Sequence, residues 1–525
     1  MKFTLNISQF RQEETGAILV IWGVCLAIFL GIVAMSFDFG RLAIAQSELQ
    51  SYVDSVALAA AGELDGQDDS IARATAAAAS LISDRQTFAS DGILSGSEDY
   101  TLTFLTTLPP ADTDDITPYA TTNPKNAAFI HVYGTPQSVG LTFARAFAAL
   151  TGIAEMNNIV TASATAGMTS WACDITPLMF CVPSEDINNP GTPFTAENNI
   201  GRLVRLRSGG QGAAWGPGDF GFLDPSILNI DLDGPCSGLS GNNLDACLMG
   251  AIGSITECVE TGSGVNTEPG QKVGIEDAVF NVRFDIYKSV MNGEKNDPNY
   301  APAPNVIKGI VPQGGGQCVG QQDASSTNTM GLPQDNCFSS GSCPYARIGD
   351  GDWDFLGYVA TNYPDVPDET TGLPVPNPLA LAYFGDMLSE LDANGTIPTR
   401  YEVYIAEIEG AGPGSPILPA LDAVGNPMDE TGLPTCQPGI ETHPERRVVV
   451  AAGIDCDTNP IAGQTNNVPV QEYFKLFLTE PVGDDGSTSP PTVDIWVEIV
   501  GSAGGGGAGG GTPAGKFHDV VQLYR

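Results

Sequence analysis

Apolar positions are spread very unevenly along this chain. The run from Gly16 to Phe37, GAILVIWGVCLAIFLGIVAMSF, is 22 residues without a single Asp, Glu, Lys or Arg. As a helix it is roughly 33 Å long at 1.5 Å per residue, enough for a ~30 Å hydrocarbon core. Polar residues return at once with Asp38, Gly40 and Arg41. Leu42 to Leu64 then has no proline, one late glycine and good helix formers throughout. Within it Leu42, Ala45, Leu49, Tyr52, Val56 and Ala59 recur at alternating steps of three and four, the stripe of one helix face. The pattern predicts a transmembrane helix over 16–37 that continues as an amphipathic stalk over 38–64. The stripe packs either on the protein's own globular part or in a seam with another such helix, and periodicity alone does not separate the two.

Further along, the periods shorten. Ile71–Ser83 is Ala-rich and reads as helix; Tyr100–Leu108 and Ala127–Tyr133 read as strands. Ser138–Leu150 has helical spacing, with Phe143 and Phe147 on one face and Gly152 as its stop; Asn157–Thr169 alternates like a strand. Residues 65–170 therefore predict a small α+β region. From 171 to 491 short apolar runs (Arg202–Leu206, Val279–Tyr287, Tyr401–Ile408 and Arg447–Ala452) are separated by Pro, Gly, Asn and Asp clusters, which favours β structure with long connections. Gln313–Cys337 reads as an exposed loop pinned by its cysteines. Residues 492–525 read as a strand pair, Thr492–Val500 and the final FHDVVQLYR, around the Gly-rich stretch Gly501–Lys516.

Cysteines and charge place the bulk of the chain. Of 11 cysteines, Cys25 lies inside the apolar run. The other ten, Cys173, Cys181, Cys236, Cys247, Cys258, Cys318, Cys337, Cys343, Cys436 and Cys456, are confined to the distal body, which suits an oxidising compartment and a disulfide-braced domain. Sequence neighbours such as Cys173 with Cys181 and Cys337 with Cys343 are candidate bridges. Lys2 and Arg11 precede the span and Arg41 follows it, a weak bias toward a cytoplasmic amino terminus over residues 1–15. A cleavable signal peptide is the competing reading, with Ala43-Ile44-Ala45 as its cut site, but the span exceeds a typical h-region and Asp38 and Arg41 intervene. The net charge of −40 argues against a phosphate-tracking nucleic-acid binder and fits a soluble, self-repelling body.

Catalytic signals are scarce. The chain has no HExxH, GxSxG or GxxxxGK[ST], and His131, His443 and His518 have no metal-ligand spacing with one another. Asp350, Asp352 and Asp354 fall at the one-three-five spacing of a calcium loop, yet Phe355 stands where that loop needs Gly and Thr361 where it needs Glu. Asp485-Gly-Ser487-Thr-Ser489 spells the first motif of a metal-dependent adhesion site. Pro490 and Pro491 follow where a helix must begin, and too little chain remains to complete such a domain. The reading is no metal, no cofactor, no small-molecule substrate and no enzyme.

Phe10, Arg11, Glu13, Glu14, Gly16, Asp38, Gly40, Arg41, Leu49, Gln50, Asp54 and the Ala-rich Ala57–Ala61 form an ordered set that resembles the amino termini of Tad (tight adherence, Flp pilus) assembly proteins of the TadE/TadG-like type. WACDITPLMFC, WGPGDFGFLDP, EPGQ, NVRFDIY, PERRVVVAAGIDC and DVVQLYR resemble the long TadG-type members. Prepilin peptidases cut after a Gly that has Glu five residues on; here Ile21 holds that place after Gly16, so the resemblance implies an uncleaved anchor. It implies an α+β architecture: an anchoring helix, a pilin-like region, then a large β-rich domain. It implies a single-pass bacterial inner-membrane protein with a periplasmic body, a structural component of pilus assembly or secretion. Its partners would be the inner membrane, pilins or pseudopilin-like subunits and other Tad apparatus proteins. A surface or filament-tip adhesin is the first alternative, an extracytoplasmic hydrolase the second.

Overall fold

The computed structural model describes residues 15–64, 69–80, 83–85, 87, 93–95, 97–111, 113–151, 158–172, 175–208, 215–224, 236–251, 259–260, 264–268, 275–287, 289–304, 329–368, 370–412, 417–418, 443–462, 464–484, 493–503 and 517–524. Contacts divide the chain into two units. The first comprises residues 1–169 with 519–525, and the second, residues 170–518, is inserted between those two stretches.

The first unit is organised by one helix, Thr15–Ala61, 47 residues without interruption. Among the described residues it alone is long and apolar enough to cross a membrane. Its two halves differ sharply. Side chains from Ile18 to Phe37 are almost all exposed, Trp22 at 71% and Phe29 at 62%. From Asp38 onward one face is covered: Ala45, Leu49, Tyr52, Val53, Val56, Ala57, Ala60 and Ala61 are buried. The amphipathic stripe is therefore used by the protein's own unit, the first of the two alternatives.

Opposite this face lies an antiparallel sheet of Tyr100–Leu105, Phe129–Gly134 and Ser163–Ala172, with Tyr100 facing Gly134 and Val132 facing Ala164 in register. Ile130, Val132, Ala164 and Ala166 alternate onto the helix side, as the two-residue period of a strand demands. Helix and sheet come very close: a Cβ on Gly134 would meet Val53 Cγ1 at 2.9 Å and Leu49 Cδ1 at 3.3 Å. The helix Ser70–Ser80 adds Ala74 and Ala78 to the same core. The last strand, Phe517–Leu523, pairs with Ser163–Ala172, and Tyr524 donates its N–H to Thr165 O at 2.8 Å.

The second unit is built on a closed ring of strands. Leu203–Ser208, Asp219–Leu223, Leu178–Val182, Val448–Asp455, Glu472–Leu478 and Val493–Ser502 are successive neighbours, and Val493–Ser502 pairs back onto Leu203–Ser208. Closure leaves the ring no free edge. Side chains along the strands alternate between two clusters. Leu178, Phe180, Val182, Val204, Leu206, Phe220, Phe222, Val449, Ala451, Phe474, Leu476 and Ile495 share one core with Phe280 and Phe284. The intervening Met179, Cys181, Val450, Ala452 and Ile454 belong to a second cluster. A third gathers Phe477 and Val448 with the helices Phe355–Asn362, Pro378–Asn394 and Arg400–Ala411.

Several expectations are corrected. Tyr401–Ile408 is not a strand but part of the helix Arg400–Ala411: Thr399 and Glu402 form a reciprocal capping box that starts it, and Val403, Tyr404 and Glu407 make its buried face. Most of Val279–Tyr287 is helical too: Glu276–Asn281 is followed by a tight turn Val282–Phe284 that ends at Asp285 with φ 62°. Residues 492–525 are not a strand pair. Val493–Ser502 closes the barrel, whereas Phe517–Leu523 joins the other sheet. Cys181 bonds Cys456, not Cys173, because Leu178–Val182 and Val448–Asp455 are neighbours with Ile454 in register with Cys181. Cys236–Cys247 and the expected Cys337–Cys343 are the other bridges among the described residues. Cys173, Cys258, Cys318 and Cys436 lie outside them, as does most of the Gln313–Cys337 loop.

Candidate functional site

From Asp38 onward the ordered motif lies where the exposed half of the long helix ends, whereas Phe10, Arg11, Glu13 and Glu14 lie outside the described residues. Asp38, only 4% exposed, is the centre. Its Oδ1 accepts the N–H of Thr142 at 3.1 Å, and its Oδ2 accepts those of Phe143 at 2.9 Å and Ala144 at 2.6 Å. These are orphan donors of the first turn of the helix Thr142–Thr151. A carboxylate there meets both the free N–H groups and the positive end of the helix dipole. Asp38 thus caps a helix 104 residues away in sequence.

Arg41 reinforces the joint, its Nη1 donating to Thr142 Oγ1 at 2.8 Å. One turn on, Gln46 Nε2 donates to Thr161 O at 2.7 Å. Gln50 Nε2 donates to Ser163 O at 2.9 Å and to Asp54 Oδ1 at 2.7 Å, so Asp54 orients the amide that holds the sheet. Glu48 accepts from Thr87 N at 2.9 Å and Thr87 Oγ1 at 2.5 Å. Leu49 fills the close approach at Gly134. Gly40 is exposed, and nothing beyond its chain neighbours and the helix's own backbone lies within 4 Å of where its Cβ would stand. Gly16 lies in the helix's first turn.

The motif therefore makes a zip of side-chain amides and carboxylates along one helix. These bonds fix the long helix to the sheet in one register. Thr142, Gln46, Glu48 and Gly134 are parts of the joint that the sequence reading missed. Thr142, a helix-start residue type ahead of FARAFAAL, was the available signal.

The metal-like aspartates take structural posts. Asp354 caps Phe355–Asn362 by accepting from Gly357 N at 2.8 Å, and Asp350 accepts from Asp352 N at 3.2 Å. Asp335, Cys337 and Asp350 approach one another within 4.8 Å. The Cys337 sulfur is in a disulfide, however, and Asp335 is committed to Arg400 and to the N–H of Gly351 at 2.8 Å. Arg400, fully buried, also donates to Glu498 at 2.9 Å and Pro333 O at 2.6 Å. Glu498 in turn accepts the N–H groups of Arg400 and Tyr401, each at 2.9 Å, tying a helix start to a barrel strand. Glu407, buried and raised to about 7 by desolvation, accepts from Tyr358 at 2.7 Å and Tyr363 at 2.9 Å. Asp485, Ser487 and Ser489 lie outside the described residues.

Residues 16–63 match the family model described as "Tad: Putative Flp pilus-assembly TadE/G-like". The matched stretch coincides with the long helix and its joint. No curated protein and no solved structure matches the chain.

Proposed function

We propose that the chain is a membrane-anchored structural component of a Tad (Flp) pilus assembly or secretion apparatus, acting through protein contacts and without catalysis. The observation that carries this reading is the match at residues 16–63 falling on one continuous helix, apolar and exposed in its first half, zipped to a sheet in its second. A helix that leaves the bilayer and becomes the spine of an α+β unit is pilin-like in outline. In the proposed topology the span is a single pass through the inner membrane, with the amino terminus cytoplasmic and everything after the span periplasmic. The disulfides fit that compartment. Pilins or pseudopilin-like subunits and other Tad apparatus proteins are the proposed partners.

Crosslinking tests the contacts. Gln46 and Gln50 are poor probes because their amides hold the sheet. Ser47, Ser51 and Ser55 lie on the exposed face of the same helix. A photo-crosslinker at Ser47 or Ser51 is expected to trap a pilin-like or other Tad subunit in cells. Recovery of self-contacts alone removes the assembly reading. Digestion of the body by protease on intact cells moves it to a surface adhesin.

A further inference from the structure

Exposed phenylalanines mark the place where the apolar half of the long helix ends, Phe37 beside Phe143 and Phe39 on another face of the helix. Phe37, Phe39 and Phe143 are 57%, 49% and 44% exposed. The rings of Phe37 and Phe143 meet edge to face with centroids 5.8 Å apart. Phe143 sits in the first turn of the ten-residue helix Thr142–Thr151, whose amino terminus is held by Asp38. That helix turns Ala144 toward the unit's core and leaves Phe143, Ala146 and Ala149 exposed.

Depth follows from length. A helix of roughly 33 Å spanning a ~30 Å core puts Phe37 at the boundary between acyl chains and headgroups. A ring in contact with Phe37 stands at the same level. Aromatic side chains concentrate at that level because one end of the environment is apolar and the other wet. A bare carboxylate at the edge of the hydrocarbon is costly, but the three N–H groups on Asp38 satisfy it there.

We infer that helix Thr142–Thr151 is a membrane-interface helix. Its Phe143 face rests in the headgroup–acyl boundary of a phospholipid bilayer, beside but separate from the span. The spanning helix alone leaves the unit free to swivel about its axis. A second lipid contact, clamped to the span through Asp38 and Arg41, sets the height and rotation of the unit on the membrane. The inference rests on the anchor reading above.

The test uses the full chain in phosphatidylcholine vesicles carrying a nitroxide either at the headgroup or at acyl position 12. A fluorophore is placed on the native free Cys25, or on Ala146→Cys in a Cys25→Ser background; Cys25→Ser alone gives the background labelling. At Cys25 the deep nitroxide is expected to quench more. At 146 the headgroup nitroxide is expected to quench at least twofold more than the deep one, and Phe143→Ser to halve that quenching. A 146 label silent to both nitroxides, or quenched as deeply as Cys25, overturns the interface helix while leaving the anchor in place. A Cys25 label that is also silent overturns both.

Discussion

The two units reach stability by opposite means. The core of the first is made largely of alanine and valine: Ala45, Ala57, Ala60 and Ala61 on the long helix face Val132, Ala164 and Ala166 of the sheet. Small side chains let backbones approach, as at Gly134, and short polar clamps then fix the register. The barrel unit is filled with Phe180, Phe194, Phe220, Phe280, Phe284 and Phe474, and is crosslinked by disulfides and a buried ionic triad. One region is ordered around one long helix and the sheet packed on it. The other is ordered by contacts between residues hundreds of positions apart.

Reduction should separate them most. Cys181–Cys456 closes a loop with a sequence separation of 275, which in the chain-entropy account is worth about 5.6 kcal/mol. The only cysteine of the first unit is Cys25. Treating the intact protein with dithiothreitol is expected to strip amide hydrogen-exchange protection from residues 170–518 and to leave residues 38–64 and 100–134 protected. Equal loss in both breaks the contrast.

Arg400→Met comes next. It leaves Asp335 and Glu498 buried without their cation, at a cost of about 3–5 kcal/mol. The denaturation midpoint of the barrel unit should fall accordingly, with that of the first unit unmoved. A fall below about 1 kcal/mol would mean that the surrounding N–H donors suffice.

The smallest effect is expected at the helix joint. Asp38→Ala removes the cap of Thr142–Thr151 and should cost about 1 kcal/mol, read as faster exchange of the amides of Thr142, Phe143 and Ala144 alone. Spread of that change into the barrel would show that the units do not stabilise themselves separately.

Legibility followed the same divide. The apolar run, the continuing helix and its stripe rest on short-range patterns, so residues 15–61 could be read from composition and period. The strands Tyr100–Leu105 and Phe129–Gly134 coincide with the runs Tyr100–Leu108 and Ala127–Tyr133 to within a few residues at each end. Tyr401–Ile408 misled because it is a short apolar-rich run set between turn-like clusters, while the capping box at Thr399 and Glu402 carried the contrary signal. The motif residue Asp38 was visible as a residue, but its role was not. Its partners lie 104 to 106 positions away.

By itself the sequence determined a long helix, its greasy half, its buried stripe and a cysteine-rich body, since each depends on side chains within a few turns of one another. Only the tertiary structure decided that the stripe serves the protein's own sheet and that Cys181 joins Cys456. It alone closed the strands into a ring and sent the last strand back to the first unit. Those outcomes are choices among distant partners, made by register, shape and closure, and no local period encodes them.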